Sequence, residues 1–153
     1  MAYYVKVLRP DEIVKYTGRL HWIIYKNSIV LSVIFFLSLV IYFNQTEDQK
    51  SVMFFASVVF LLLTVISFVH SWFVRITTEI VVTDKRIIHK TGWIARRTEE
   101  MNITKVETVD VSQGIGGRIL GFGAVGIKGI GGSWEPLRRI AAPIALRNAI
   151  MVG

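Results

Sequence analysis

The sequence predicts an α+β membrane protein: two long apolar helices forming a transmembrane hairpin, then a small β-domain closed by a C-terminal helix. Three observations predict it. The 153-residue chain is 52% hydrophobic, with a mean hydropathy of +0.50, more apolar than a soluble domain usually is. The excess is confined to two charge-free runs, Ile29 to Phe43 ("IVLSVIFFLSLVIYF") and Val52 to Val74 ("VMFFASVVFLLLTVISFVHSWFV"). Beyond Arg75 the pattern changes to short β-rich pieces separated by turn residues.

Before the first run, Tyr3, Val5 and Val7 alternate, Pro10 breaks the pattern, and Ile13, Tyr16, Leu20 and Ile23 come next at helical spacing. Residues 1–22 therefore read as a strand and a juxtamembrane helix. Residues 1–22 alone place four basic residues and two acids ahead of the apolar run, so no cleavable signal peptide is expected.

The second run is long enough to cross a bilayer core of ~30 Å at ~1.5 Å per residue, and the first becomes so once "HWIIY" or Asn27 and Ser28 are included. Too little chain remains to wrap two helices that are apolar on every face. The spans are placed at 23–43 and 52–74, with a short non-cytoplasmic loop at 44–51. Trp22, Tyr25 and Lys26 suit one interface, and His70, Trp72 and Arg75 another. Serines recur in the spans without a base partner. "SIVLS" and "SFVHS" place small residues four apart, a spacing that favours helix association.

Lys and Arg resist translocation. Residues 1–22 carry four of them, "NQTEDQK" one against two acids, and residues 75–153 twelve. Both termini are expected in the cytoplasm, and the net charge of +7 then meets anionic lipid rather than nucleic acid. The absence of cysteine excludes disulfides and thiolate chemistry.

In residues 75–153, "ITTEIVVT", "RIIHK", a strand after the Gly92 turn in "TGWIARRTEEM", "KVETVDVSQ", "AVGIKGI" and "EPLRRIA" read as strands. "PIALRNAIMV" opens with Pro143 and reads as a covering helix. The succession fits a small barrel or sandwich, mounted directly on the second span.

"QGIGGRILGFGAVGIKGIGG", residues 113–132, holds nine of the twelve glycines and spells G-x-G-x-x-G. A dinucleotide loop needs a helix directly after it and an acid about 20 residues on. Here the next segment, "IKGIGG", is strand-like, and no acid occurs after Glu135. A Walker A loop fails because Ile127 stands where Lys is required. The glycines instead suit a tight β-domain turn, with Ile119, Leu120 and Phe122 plugging the end of the barrel. His21, His70 and His89 share no metal-ligand spacing.

"PDEIVKYTGRLHWIIY", then T-D-K-R-I within "VVTDKRIIHKTGWIARRTEEMNITKVETVDVSQ", then Q-x-x-x-x-R-x-x-G-F-G and a late "APIALRNAI" together resemble the bacterial membrane proteins that carry a pleckstrin-homology-like (PH-like) domain. The third motif is Gln113, Arg118, Gly121, Phe122 and Gly123, with Gly117 ahead of Arg118. The preceding "GIGG" departs from the longer or more polar segment common in that family.

The resemblance implies a strongly bent seven-stranded sheet capped by a C-terminal helix, and no catalytic residue, cofactor, metal or small-molecule substrate. The expected function is a non-enzymatic scaffold, oligomerisation or accessory-subunit module of the bacterial plasma (inner) membrane, partnered by its own copies or a larger membrane complex. The alternative is recognition of anionic lipid by the basic juxtamembrane face, with Arg75, Lys85, Arg86, Lys90, Arg96 and Arg97 as contacts.

Overall fold

A computed structural model of the chain describes residues 7–44, 46–92, 97–130, 132–134 and 136–152. Two compact units emerge: Trp22–Phe73, and Met1–His21 taken together with Val74–Gly153.

In the first unit a 3-10 turn, Trp22–Tyr25, leads into helix α1, Lys26–Asn44, and the chain returns in α2, Glu47–Thr77. Both helices are long and apolar enough to cross a membrane. The expected loop at 44–51 is shorter than predicted. The Gln49 amide donates to the Thr46 carbonyl, so the helix is already under way where "EDQK" suggested a connector.

Burial in this unit is inverted relative to a soluble protein. Ser28, Ser38, Ser57 and Ser71 are buried, whereas Phe36, Phe43, Phe55 and Ile66 are exposed. The serines form a seam. The Ser28 and Ser67 hydroxyls lie 3.0 Å apart, as do those of Ser38 and Ser57, and Ser71 Oγ donates to the Ile24 carbonyl. Each step along α1 is matched by an equal step backwards along α2, the register of an antiparallel pair. Tyr25 on Phe68 and Tyr42 near Phe54 obey the same register.

In the second unit the strands are β1 (Val14–Gly18), β2 (Glu79–Thr83), β3 (Arg86–Thr91), β4 (Arg97–Asn102), β5 (Val106–Ser112), β6 (Phe122–Gly129), β7 (Gly132–Ser133) and β8 (Leu137–Ala141). A short helix α3, Ile115–Leu120, precedes β6, and α4, Pro143–Met151, closes the chain. The strands form two antiparallel four-stranded sheets: β1-β2-β3-β4, and β5-β6 with β7 and β8 both pairing β6. The single seven-stranded sheet expected from the resemblance is thus replaced by two sheets with eight strands among the described residues.

The eighth strand comes from ahead of the first apolar helix. Ile13, Tyr16 and Leu20 were expected on a helix, but β1 pairs antiparallel with β2, Tyr16 opposite Val82 and Gly18 opposite Ile80. The helical spacing misled because Val14, Tyr16 and Gly18, which alternate with exposed Lys15 and Thr17 along β1, form too short a run for the period of two to stand out. Pairing with β2 also satisfies backbone groups that a lone short helix would leave open. Of the expected N-terminal strand, Tyr3 and Val5 lie outside the described residues.

A Leu20–Ile140 bridge joins the two sheets, flanked by Ala141 N–H to Arg19 O and His21 N–H to Arg139 O. The core between them is Ile80, Val82 and Ile87 from one sheet and Val109, Val125, Ile127, Leu137 and Ile140 from the other. Leu146 and Ile150 of α4 seal it, each contributing roughly 1.5–3 kcal/mol by burial.

Candidate functional site

The two charged motifs flanking the apolar hairpin in sequence meet in space. "PDE" supplies Asp11 and Glu12, with Ile13 next to them, and "TDKR" supplies Thr83 to Arg86. Arg86 donates from Nε and Nη2 to the two Glu12 oxygens, 2.9 Å each, from Nη1 to Glu100 at 2.6 Å, and from Nη2 to the Val7 carbonyl. Thr83 Oγ1 donates to Glu12 at 2.7 Å and accepts from the Lys85 and Arg86 amides, which fixes the β2–β3 turn. Lys85 pairs with Asp11. The Ile13 amide donates to Asp84 Oδ1, and the Asp84 amide to the Ile13 carbonyl.

The Glu12 side chain is fully inaccessible and Arg86 is 15% exposed. The Arg86 guanidinium, helped by Thr83 and the Arg9 amide, outweighs desolvation and holds the Glu12 carboxyl down at about 2. The same pairing raises the pKa of Arg86.

Four of the six predicted lipid contacts have carboxylate partners. Lys85 and Arg86 are committed to Asp11, Glu12 and Glu100. Lys90 lies 3.8 Å from Glu79, and Arg97 2.6 Å from Glu99. Arg75 also has an interaction partner, and Arg96 lies outside the described residues. Sequence reasoning missed Asp11, Glu12 and Thr83. The signal was the charge complementarity of "DE" and "KR" on either side of the hairpin.

The glycine-rich motif builds a second feature. Gln113 Nε2 donates to the Gly117 and Phe122 carbonyls, at 3.3 and 3.0 Å, and so pins α3 against the start of β6. Gly121 caps α3 in the left-handed region at φ +76, as the C-cap rule expects. A side chain at Gly123 would meet Gln113 Cγ at 2.7 Å and the Ser112 carbonyl at 2.8 Å. Phe122 stacks on His21, ring centroids 5.2 Å apart.

The expected plug is not formed. Ile119 and Leu120 are exposed, because the clasp is made by Gln113 and backbone, leaving the helix's own side chains outside. Arg118 is exposed and takes no part in the clasp.

A third feature lies beside it. Leu137 and Ile140 are three positions apart on β8, whereas their β6 partners Val125 and Gly123 are two apart, so a bulge falls at Arg138–Arg139. Arg139 has φ +59. The bulge lets Leu137 and Ile140 both reach the core while both arginines stay in solvent. A double arginine between two apolar residues three apart was the sequence signal for it.

Two smaller elements complete the surface. A groove of about 310 Å³ runs past Met101, Ile130 and Trp134, with Glu100, Asn102 and Lys105 at its margin. His89 has its pKa lowered by burial, opposed by nearby Glu99. Among the described residues no three His, Asp or Glu side chains are grouped to hold a metal ion.

In comparisons with known proteins, the chain matches the family model described as bacterial PH domain over residues 28–151. No curated protein and no solved structure matches it.

Proposed function

The chain belongs to the bacterial PH domain family, and from that premise we propose that it is a non-enzymatic module anchored in the bacterial plasma membrane. Its two apolar helices cross the bilayer, both termini are cytoplasmic, and its PH-like unit assembles with further copies of itself or with another membrane protein.

The observation that carries this reading is the insertion of the apolar hairpin between two neighbouring strands. The chain leaves the β unit after β1 and returns at β2, both at the Gly18–Ile80 end of that antiparallel pair, while the Glu12–Arg86 clamp locks the opposite, Val14–Thr83 end. An anchor fastened at both ends to one sheet suits a module that holds a partner in place. The inverted burial of the helices supports the membrane part, since only a lipid environment accepts phenylalanines outside and hydroxyls inside. The groove at Met101, Ile130 and Trp134, beside the outer edge of β4, supplies a surface for a protein segment.

Native mass spectrometry after gentle extraction, paired with crosslinking in membranes, tests it. A defined multimer or a stoichiometric companion protein is expected. A strictly monomeric, partner-free chain sinks the assembly reading. Labelling of single cysteines tests orientation: Thr46→Cys should react from outside the cell and Thr104→Cys only after permeabilisation.

The second reading is recognition of anionic lipid through Arg75, Lys85, Arg86, Lys90, Arg96 and Arg97. Its support is the excess of basic charge in the unit. Against it, a headgroup at Lys85, Arg86, Lys90 or Arg97 has to displace a carboxylate already in place. Unchanged co-purified lipid after neutralising Lys85, Lys90 and Arg97 would count against this set.

A further inference from the structure

Helix α3 carries an outer face that the β unit does not cover. Ile115, Arg118 and Ile119 lie on one side of it at helical spacing, with Ile115 83% and Ile119 78% exposed; Leu120, also exposed, continues the apolar surface. A single exposed isoleucine means little. Here, however, Gln113, Gly117, Gly121 and Gly123 build a dedicated clasp under the helix, and what that clasp presents to solvent is apolar side chains and Arg118.

The neighbouring corner is cationic. Arg138 and Arg139 on the β8 bulge and Arg19 beside the Leu20–Ile140 bridge are exposed. Like Arg118, none has a carboxylate partner among the described residues. The sequence explains the imbalance: after Asp110 there are five basic residues and one acid, Glu135. α3 and the bulge adjoin, because Phe122, directly after the α3 cap, pairs with Ala141, and Ala142 N–H donates to the Gly121 carbonyl.

Two observations choose the occupant. Phe122 stacks on His21, and the His21 amide donates to the Arg139 carbonyl at 2.7 Å. His21 is the residue immediately before the apolar segment that begins at Trp22, a Cα step of about 3.8 Å. The corner is therefore tied, through His21, to the start of the apolar segment along the chain. A second copy docked here by two-fold symmetry would bring like charges together, whereas a surface of anionic headgroups over acyl chains complements both the arginines and the isoleucines.

We propose that α3 and the β8 bulge form a bilayer-docking corner, in which Ile119 and Leu120 enter the boundary between headgroups and acyl chains while Arg19, Arg118, Arg138 and Arg139 contact anionic headgroups. The inference rests on the membrane anchor and is independent of the assembly reading.

The test uses the full chain, which has no native cysteine, with Ile119→Cys carrying a polarity-sensitive fluorophore and Thr104→Cys as the control. Incorporation into nanodiscs is measured first and reports on the anchor alone. In discs containing phosphatidylglycerol, the probe at 119 should shift to the blue and lose accessibility to aqueous iodide several-fold, while the probe at 104 stays quenchable. Arg118→Gln with Arg138→Gln should reverse most of that protection. A probe at 119 that remains fully quenchable in incorporated protein overturns the proposal. So does protection equal in purely zwitterionic discs and indifferent to the arginines. Protection in detergent that rises with protein concentration also overturns it, by identifying a second copy as the occupant.

Discussion

Arg86 of β3 grips Glu12, a residue from the other side of the apolar hairpin, through Nε and Nη2 to both carboxylate oxygens at 2.9 Å. The pair is buried on the Glu12 side, so removing one partner strands the other in a poorly solvated place. Glu12→Gln should lower stability by roughly 3 kcal/mol, measured by denaturant or thermal unfolding in detergent at neutral pH. Arg86→Lys should recover little of the loss, because an ammonium cannot make the two-pronged contact. Wild-type stability in either variant would show that the clamp is dispensable.

The same pair sets a pH dependence. Arg86 depresses the Glu12 carboxyl from 4.5 to about 2, so the folded state holds this proton less tightly than the unfolded chain. Its contribution is complete above about 4.5 and is lost as pH falls from there towards 2. Stability measured across that window should fall more steeply for the wild type than for Glu12→Gln. Parallel curves would remove Glu12 as the source.

Much of the β unit was legible in sequence because its strands β3, β5 and β8 and the helix α4 carry strong local signals, such as Pro143 opening α4. β1 was not. Its partner β2 is separated from it by the whole apolar hairpin, and pairing at that distance leaves no local trace beyond the short alternation of Val14, Tyr16 and Gly18. The basic residues were legible as types but not as a site. Whether Lys85 or Arg138 is compensated depends on which carboxylate the fold brings to it, and Asp11 reaches Lys85 only after β1 has docked. The exposure of Ile119 was unreadable for a related reason: an apolar side chain is expected inside, and only the Gln113 clasp reveals that the underside of α3 is already satisfied.

The glycines of that clasp make separate, opposite predictions. Gly121 sits at φ +76 with open space around it, so Gly121→Asn, which tolerates the left-handed region, should cost far less than Gly121→Val. Gly123 has ordinary backbone but no room, so both Gly123→Ala and Gly123→Val should lower yield and melting temperature, the latter more. A well-folded protein carrying Val at both positions would refute this account of the turn.

In the helical unit the Ser38–Ser57 contact is buried and polar in an apolar hairpin. Hydroxyl pairs between membrane helices contribute about 0.6 kcal/mol on average, so Ser38→Ala or Ser57→Ala should each weaken the helix pair slightly. Ser38→Leu should do more, because the added volume forces the backbones apart. Resistance to unfolding by a denaturing detergent is the measurement. A double-mutant cycle with no coupling between Ser38 and Ser57 would reduce the seam to a stripe of small residues.

Arg139 adopts φ +59 in a strand, a conformation that costs a side-chain-bearing residue on the order of 1 kcal/mol or more. Arg138, its neighbour in the same bulge, has no such strain. Arg139→Gly should therefore leave the melting temperature unchanged or raise it, whereas Arg138→Gly should lower it, because glycine there adds backbone freedom to the unfolded chain without relieving anything. If both variants keep the fold and both reduce protection of a probe at position 119 in anionic discs, the strained arginine trades stability for the charge it presents. If Arg139→Gly instead unfolds the unit, the positive φ is held by contacts of the guanidinium itself, and the bulge is a purely structural device.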